Sequence, residues 1–124
     1  MARIFLYGTL KRGGASHHFL VGQRYVDKAR TAAEYRLYLL DGYPGLVPSP
    51  RDGRSIEGEI WEVEPACLAR LDEWEGTEIG LFARAAVRLL PPYNQTGAEA
   101  YLYLKSVEGR ADAGTRFDGP QPPA

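Results

Sequence analysis

From Arg3 to Leu104 the chain is cut into short β-forming runs, most of them stopped by glycine or proline, and one stretch carries a clear helical apolar period. That segmentation predicts an α+β domain whose sheet curls. Ile4, Phe5, Leu6 and Tyr7 form the first run, ended by Gly8; because it is apolar almost throughout, it reads as a strand buried on both faces. Strands follow at Tyr25–Lys28, at Glu34–Leu40 with Tyr35, Leu37 and Leu39 on one face, briefly at Leu46-Val47, and at Ile56–Val63. Gly58 inside the last predicts a bulge or a close backbone approach. Phe82–Leu90 alternates Ala83, Ala85, Val87 and Leu89 against Arg84 and Arg88, and Ala98–Leu104 alternates Glu99, Tyr101 and Tyr103 against Ala100, Leu102 and Leu104. With Pro91–Gly97 between them, these two runs predict an antiparallel hairpin with a long loop.

The helical stretch begins at Pro65, suited to a first turn, places Cys67, Leu68, Leu71 and Trp74 at helical spacing, and stops at Gly76. A shorter helical candidate covers Ser16–Val21, with Ser16 as its N-cap. There are no internal repeats or heptads, so the expected total is about five to seven short strands, one good helix and a weaker one. At 124 residues the chain makes one domain, since halves would be too small to bury separate cores. That domain is expected over residues 1–105, with 106–124, rich in Gly, Asp, Arg and Pro, as a loosely attached tail.

Charge and cysteine content exclude several classes. Fifteen basic and sixteen acidic residues balance to a net charge of -1, with no basic stripe for nucleic acid beyond Lys11-Arg12. Cys67 is the only cysteine, so no intrachain disulfide forms, and His17-His18 lack a third ligand for a metal. The apolar run at the N-terminus is too short for a signal sequence or a membrane span, and a cytoplasmic location is expected. Neither G-x-G-x-x-G, a P-loop nor G-x-S-x-G occurs, and Cys67 falls on the inner helix face, where a thiol packs rather than reacts. An enzyme built from these residues would use no cofactor, no metal and no protein nucleophile, and would take a substrate carrying its own nucleophile.

Two features could carry such chemistry. The turn Tyr7-Gly8-Thr9-Leu10 at the end of a buried strand can present successive N–H groups as a nest for a carboxylate; the competing reading is a plain strand-to-loop corner. Glu75, at the end of the helix beside Trp74, can be partly desolvated and so suited to acid/base work; it also sits in an acidic run with Asp72, Glu73 and Glu78, of the kind that forms a solvated helix face.

Taken together, Tyr7-Gly8-Thr9-Leu10-Lys11-Arg12-Gly13, Gly42-Tyr43-Pro44-Gly45-Leu46, Glu57-Gly58-Glu59-Ile60-Trp61 and Leu71-Asp72-Glu73-Trp74-Glu75-Gly76 follow the order found in gamma-glutamylcyclotransferase-like proteins, which the chain resembles from about Arg3 to Tyr103. The resemblance implies a small mixed β-barrel flanked by short helices, with a cavity at one end. It implies that Tyr7, Gly8, Thr9 and Leu10 bind a substrate carboxylate, that Gly42-Tyr43-Pro44 lines the same cavity, and that Glu75 is the acid/base. The implied reaction is cyclisation of a small γ-glutamyl amine or peptide to 5-oxoproline without a cofactor; the alternative on the same fold is a non-catalytic carboxylate-binding module. Phe82 stands where such proteins often carry Tyr, and Ser16 where Asn is common, which leaves the leaving group open, as the oligomeric state also is.

Overall fold

The computed structural model describes residues 1–118. Its strands are β1 (Ala2–Leu6), β2 (Arg24–Arg30), β3 (Tyr35–Leu39), β4 (Pro44–Pro48), β5 (Glu57–Val63), β6 (Phe82–Ala86), β7 (Glu99–Tyr103) and β8 (Ala111–Asp112), joined by one α-helix, α1 (Pro65–Trp74), and a single 3-10 turn at His17–Leu20. The fold is α+β.

β1 lies at the centre because both of its faces are apolar. It pairs antiparallel with β5, Ile4 opposite Trp61, and β2 pairs antiparallel with the far edge of β5. On its other side β1 meets β7 in parallel at Ile4 and Glu99, while β4 meets the later part of β7 in parallel at Leu46 and Leu102. The opposite edge of β7 takes the antiparallel hairpin partner β6, and β3 carries the sheet onward from β4 to β8. The sheet is therefore mixed, and it curls. Past Ala86 the chain turns from β7 toward the end of β2, where Leu90 N–H donates to Arg30 O (2.9 Å) and Ala32 N–H to Arg88 O (2.9 Å). Those bonds close β6–β7–β1–β5–β2 into a small barrel, and they explain why β6 stops short of Leu90.

The alternation in β1 divides the core. Ile4 and Leu6 join Leu10, Leu20, Val63, Leu71, Phe82 and Tyr101 beneath α1, whereas Phe5 and Tyr7 join Leu37, Leu46, Ile56, Ile60 and Ala100. Each fully buried aliphatic or aromatic side chain stabilises the fold by roughly 1.5–3 kcal/mol. Gly58 answers a close approach rather than a bulge: a Cβ there would lie 2.5 Å from Leu6 O and 2.6 Å from Phe5 Cζ. The irregularity lies elsewhere in the pair, on β2 between Tyr25 and Asp27, opposite Trp61 and Ile60.

Two expectations are corrected, and one residue keeps its expected face but not the burial of its neighbours. The Ser16–Val21 helix is only the 3-10 turn, uncapped by the Ser16 side chain; the Phe19 N–H donates to the Ser16 backbone carbonyl (3.2 Å) instead. Leu39 is 40% exposed, since the core that takes Tyr35 and Leu37 does not reach the end of β3. Residues 106–118 are not a loose tail. β8 pairs with β3, Ala113 N–H donates to Leu37 O (2.7 Å), Glu57 N–H donates to Thr115 O (2.8 Å), and Val107, Ala113 and Phe117 pack on the core. Residues 119–124 of the expected tail lie outside the described residues. Among the described residues no helix is long and apolar enough to cross a membrane.

Candidate active site

The last turn of α1 decides what happens to the acidic run. Cys67 and Leu71 anchor the helix on its buried face, and Glu75, four residues after Leu71, emerges on that side as its N–H closes on Leu71 O (2.9 Å). Gly76, at φ +71°, then turns the chain away, a conformation glycine takes without strain. Glu73 and Glu78 face water. Asp72 is held by Arg84 through two bonds of 2.9 and 3.2 Å and accepts from Tyr101 Oη at 2.7 Å. Only Glu75 of this run lines a cavity, of about 350 Å³, at the end of the barrel.

The cavity brings Tyr7, Gly8, Thr9, Leu10, Tyr43 and Glu75 together. Its remaining wall is Phe5, Leu6, Ser16, Gly42, Pro44, Trp74, Leu81, Phe82 and Tyr101. Glu75 is thus the only carboxylate among the lining residues, and they include no Lys, Arg or His. Burial pushes its pKa from the ordinary 4.5 to about 7. Its charge is felt by the phenols around it: Tyr7, raised first by burial and then by Glu75, and Tyr101, raised by burial, by its bond to Asp72 and more weakly by Glu75.

The Tyr7–Leu10 corner is locked by its own neighbours. Tyr7 Oη donates to Tyr101 O (2.6 Å) and accepts from Leu46 N–H (3.3 Å), so the phenol pins β1 to β7 and β4 rather than standing free. Gly8 is required by Pro44, whose Cγ would lie 2.8 Å from a Cβ at that position. This contact joins the Tyr-Gly-Thr-Leu and Gly-Tyr-Pro motifs physically, and it shows that the close approach at Gly8 is made by the protein itself. Beyond it, Lys11 N–H closes a turn on Gly8 O (3.1 Å). Among the described residues, the N–H groups of Gly8, Thr9 and Leu10 donate to no protein acceptor outside the regular strand ladders.

Sequence reasoning missed Tyr101, Leu81 and the undersides of β1 as cavity wall. Tyr101 was visible only as one residue of an alternating strand. Its bond to Asp72, and the onward contact of Arg84 with Glu99 (2.7 Å), join α1 to β6 and β7 through residues far apart in sequence. Phe82 and Ser16 both belong to the wall. Cys67 is buried, its thiol pushed up by burial and donating to Phe19 O at 3.4 Å. His17 Nδ1 bonds Leu10 O (2.9 Å), and among the described residues no cluster of three His, Cys, Asp or Glu side chains is placed to hold a metal ion.

Comparison with known proteins identifies the family. The family model described as gamma-glutamyl cyclotransferase, AIG2-like, matches residues 4–118. The chain belongs to that family. It is an enzyme of the gamma-glutamylcyclotransferase class, and the match leaves its substrate unassigned. It is 36% identical over 110 residues to the Drosophila melanogaster protein CG2811, covering 83% of this chain and 69% of that one. Against gamma-glutamylaminecyclotransferase A of Danio rerio it is 33% identical over 112 residues, covering 84% and 69%. The crystal structure of an AIG2-like protein from Mus musculus superposes with a TM-score of 0.79 at 26% identity, covering 93% of this chain and 87% of that one. The family match runs past Leu104 to residue 118, in keeping with the pairing of β8.

Proposed function

We propose that the protein is a cofactor-free cyclotransferase that converts a γ-glutamyl amine to 5-oxoproline and the free amine, with Glu75 as acid/base. The observation that carries this reading is a carboxylate with a pKa of about 7 sharing one small cavity with the Gly8–Leu10 corner. The N–H groups of that corner hold the substrate α-carboxylate, and Tyr43 lines the same cavity. So held, the α-amine faces the γ-carbonyl of its own molecule, and closing a five-membered ring needs no protein nucleophile.

In the first step Glu75 takes a proton as the α-nitrogen forms its bond to the γ-carbon. In the second, the bond from that carbon to the leaving nitrogen breaks as Glu75 returns the proton to it. A group titrating near pH 7 is suited to both transfers, because neither protonation state is strongly disfavoured. The cavity volume lies at the lower end for small-ligand sites. With no cation among its lining residues and with Tyr43, Trp74 and Phe82 in its wall, it favours a leaving amine without a carboxylate over a γ-glutamyl peptide.

The test is release of 5-oxoproline from a panel of γ-glutamyl amines and peptides by wild-type protein and by Glu75→Gln. Turnover by the wild type that is lost in the variant supports the assignment. Equal turnover by both removes Glu75 from the mechanism, and binding without turnover across the panel points to a carboxylate-binding module.

A further inference from the structure

The Glu57-Gly58-Glu59-Ile60-Trp61 motif contributes no residue to the cavity wall. Its role lies behind that wall. Glu59 is 9% exposed, and its carboxylate is met by three donors: Arg12 N–H at 3.0 Å, Arg12 Nε–H at 3.2 Å and the Trp61 indole N–H at 3.2 Å. The Arg12 guanidinium lies 3.7 Å from the centre of the Tyr25 ring, which meets Trp61 edge-on at 5.6 Å. Trp61 also meets His17 edge-on at 5.2 Å, and His17 Nδ1 donates to Leu10 O. The segment leaving the Gly8–Leu10 corner is thus held at both ends, its Leu10 carbonyl by His17 and its Arg12 N–H by Glu59, with Trp61 linking the two. The support is rigid, because Glu59 sits opposite Leu6 in the β1–β5 ladder, one residue before the corner begins.

We propose that Glu59 is a positioning residue that fixes the direction of the Gly8, Thr9 and Leu10 N–H groups, with Trp61 and His17 completing the frame. This rests on the reading that the corner binds the substrate carboxylate. The chemistry requires a carboxylate at residue 59. Two acceptor oxygens and no donor satisfy the Arg12 backbone, the Arg12 side chain and the indole together, whereas a carboxamide turns an N–H group toward one of those donors.

The experiment compares wild-type protein, Glu59→Gln and Trp61→Phe as full chains. Amide hydrogen exchange without ligand reads the frame, and steady-state turnover of a γ-glutamyl amine reads its consequence. In Glu59→Gln, exchange at Arg12, and at Lys11 and Ser16 whose N–H groups close on Gly8 O and Thr9 O, accelerates about tenfold while β7 is unchanged, and KM rises about tenfold with kcat within about threefold. Trp61→Phe keeps an aromatic side chain but loses the indole N–H donor; it shifts KM in the same direction by about two- to threefold, and it carries the test should Glu59→Gln fail to fold. Exchange at Arg12 and a KM that both stay at wild-type values overturn the proposal, as does a fall in kcat at constant KM. A wild-type protein that turns over no γ-glutamyl amine overturns the functional reading instead, and the exchange data then still decide whether Glu59 holds the corner.

Discussion

Glu75 at the end of α1 and Glu59 within β5 are two carboxylates withdrawn from water, each close to the Tyr7–Arg12 segment, and they differ in what meets them. Glu59 has three donors and is consumed in holding the chain. Glu75 lines the cavity, and burial alone accounts for its raised pKa of about 7. Burial with donors yields a fixed support; burial without them yields a group that exchanges protons at neutral pH. The same desolvation that suits Glu75 to acid/base chemistry makes its ionised form a cost to the fold.

The largest expected effect is on turnover. Glu75→Gln lowers kcat/KM for a γ-glutamyl amine by about 10²–10⁴-fold, the range for loss of a general acid/base, measured as 5-oxoproline release. In the wild type, kcat/KM rises with pH through about 7 as Glu75 becomes the base, and that limb is absent from the residual activity of the variant. A flat wild-type profile between pH 6 and 8, with these bounds set about one unit either side of 7, breaks the contrast between the two carboxylates.

Stability sharpens the same contrast with the opposite sign. A carboxyl whose pKa rises from 4.5 to about 7 on folding contributes stability that is fully present below about 4.5 and is lost as the pH rises through about 7. Glu75→Gln is therefore more stable than the wild type above pH 7, by on the order of 2 kcal/mol, with the advantage gone near pH 4, as read by denaturant melts at both values. Gly8→Ala drives a Cβ to 2.8 Å from Pro44 Cγ. It costs about 1–3 kcal/mol of stability and raises KM, because the corner and the Gly42–Pro44 segment move together. Tyr101→Phe removes the bond to Asp72 and is expected to cost about 1 kcal/mol. The smallest effect is that of Phe82→Tyr: it restores a hydroxyl to an apolar wall and changes kcat/KM for an amine without a carboxylate by less than about threefold.

Much of the fold was legible because the signals were local. The apolar run before Gly8, the alternation on either side of Pro91–Gly97, and the Pro65-to-Gly76 helix all report steric and periodic constraints within a few residues. What escaped detection was held by partners distant in sequence. β8 is two residues joined to β3 by backbone bonds, which leave little trace in side-chain pattern. Tyr101 acquires its place from Asp72 on another element, and Leu39 fits the alternation of its strand yet lies beyond the core that would cover it.

For the candidate site the division is similar. The sequence by itself determined where the chain turns and which residues stand at the turns, since glycine, proline and apolar period act over a single turn of backbone. It singled out Glu75 at the helix end beside Trp74, yet left it inside an acidic run with Asp72, Glu73 and Glu78 that fits a solvated helix face equally well. Tertiary structure separated them. Packing Cys67 and Leu71 against the sheet set the rotation of α1, which sent Glu73 and Glu78 into water, delivered Asp72 to Arg84, and left Glu75 in the cavity. Desolvation depends on everything that surrounds a group in three dimensions, and no window of sequence contains those surroundings.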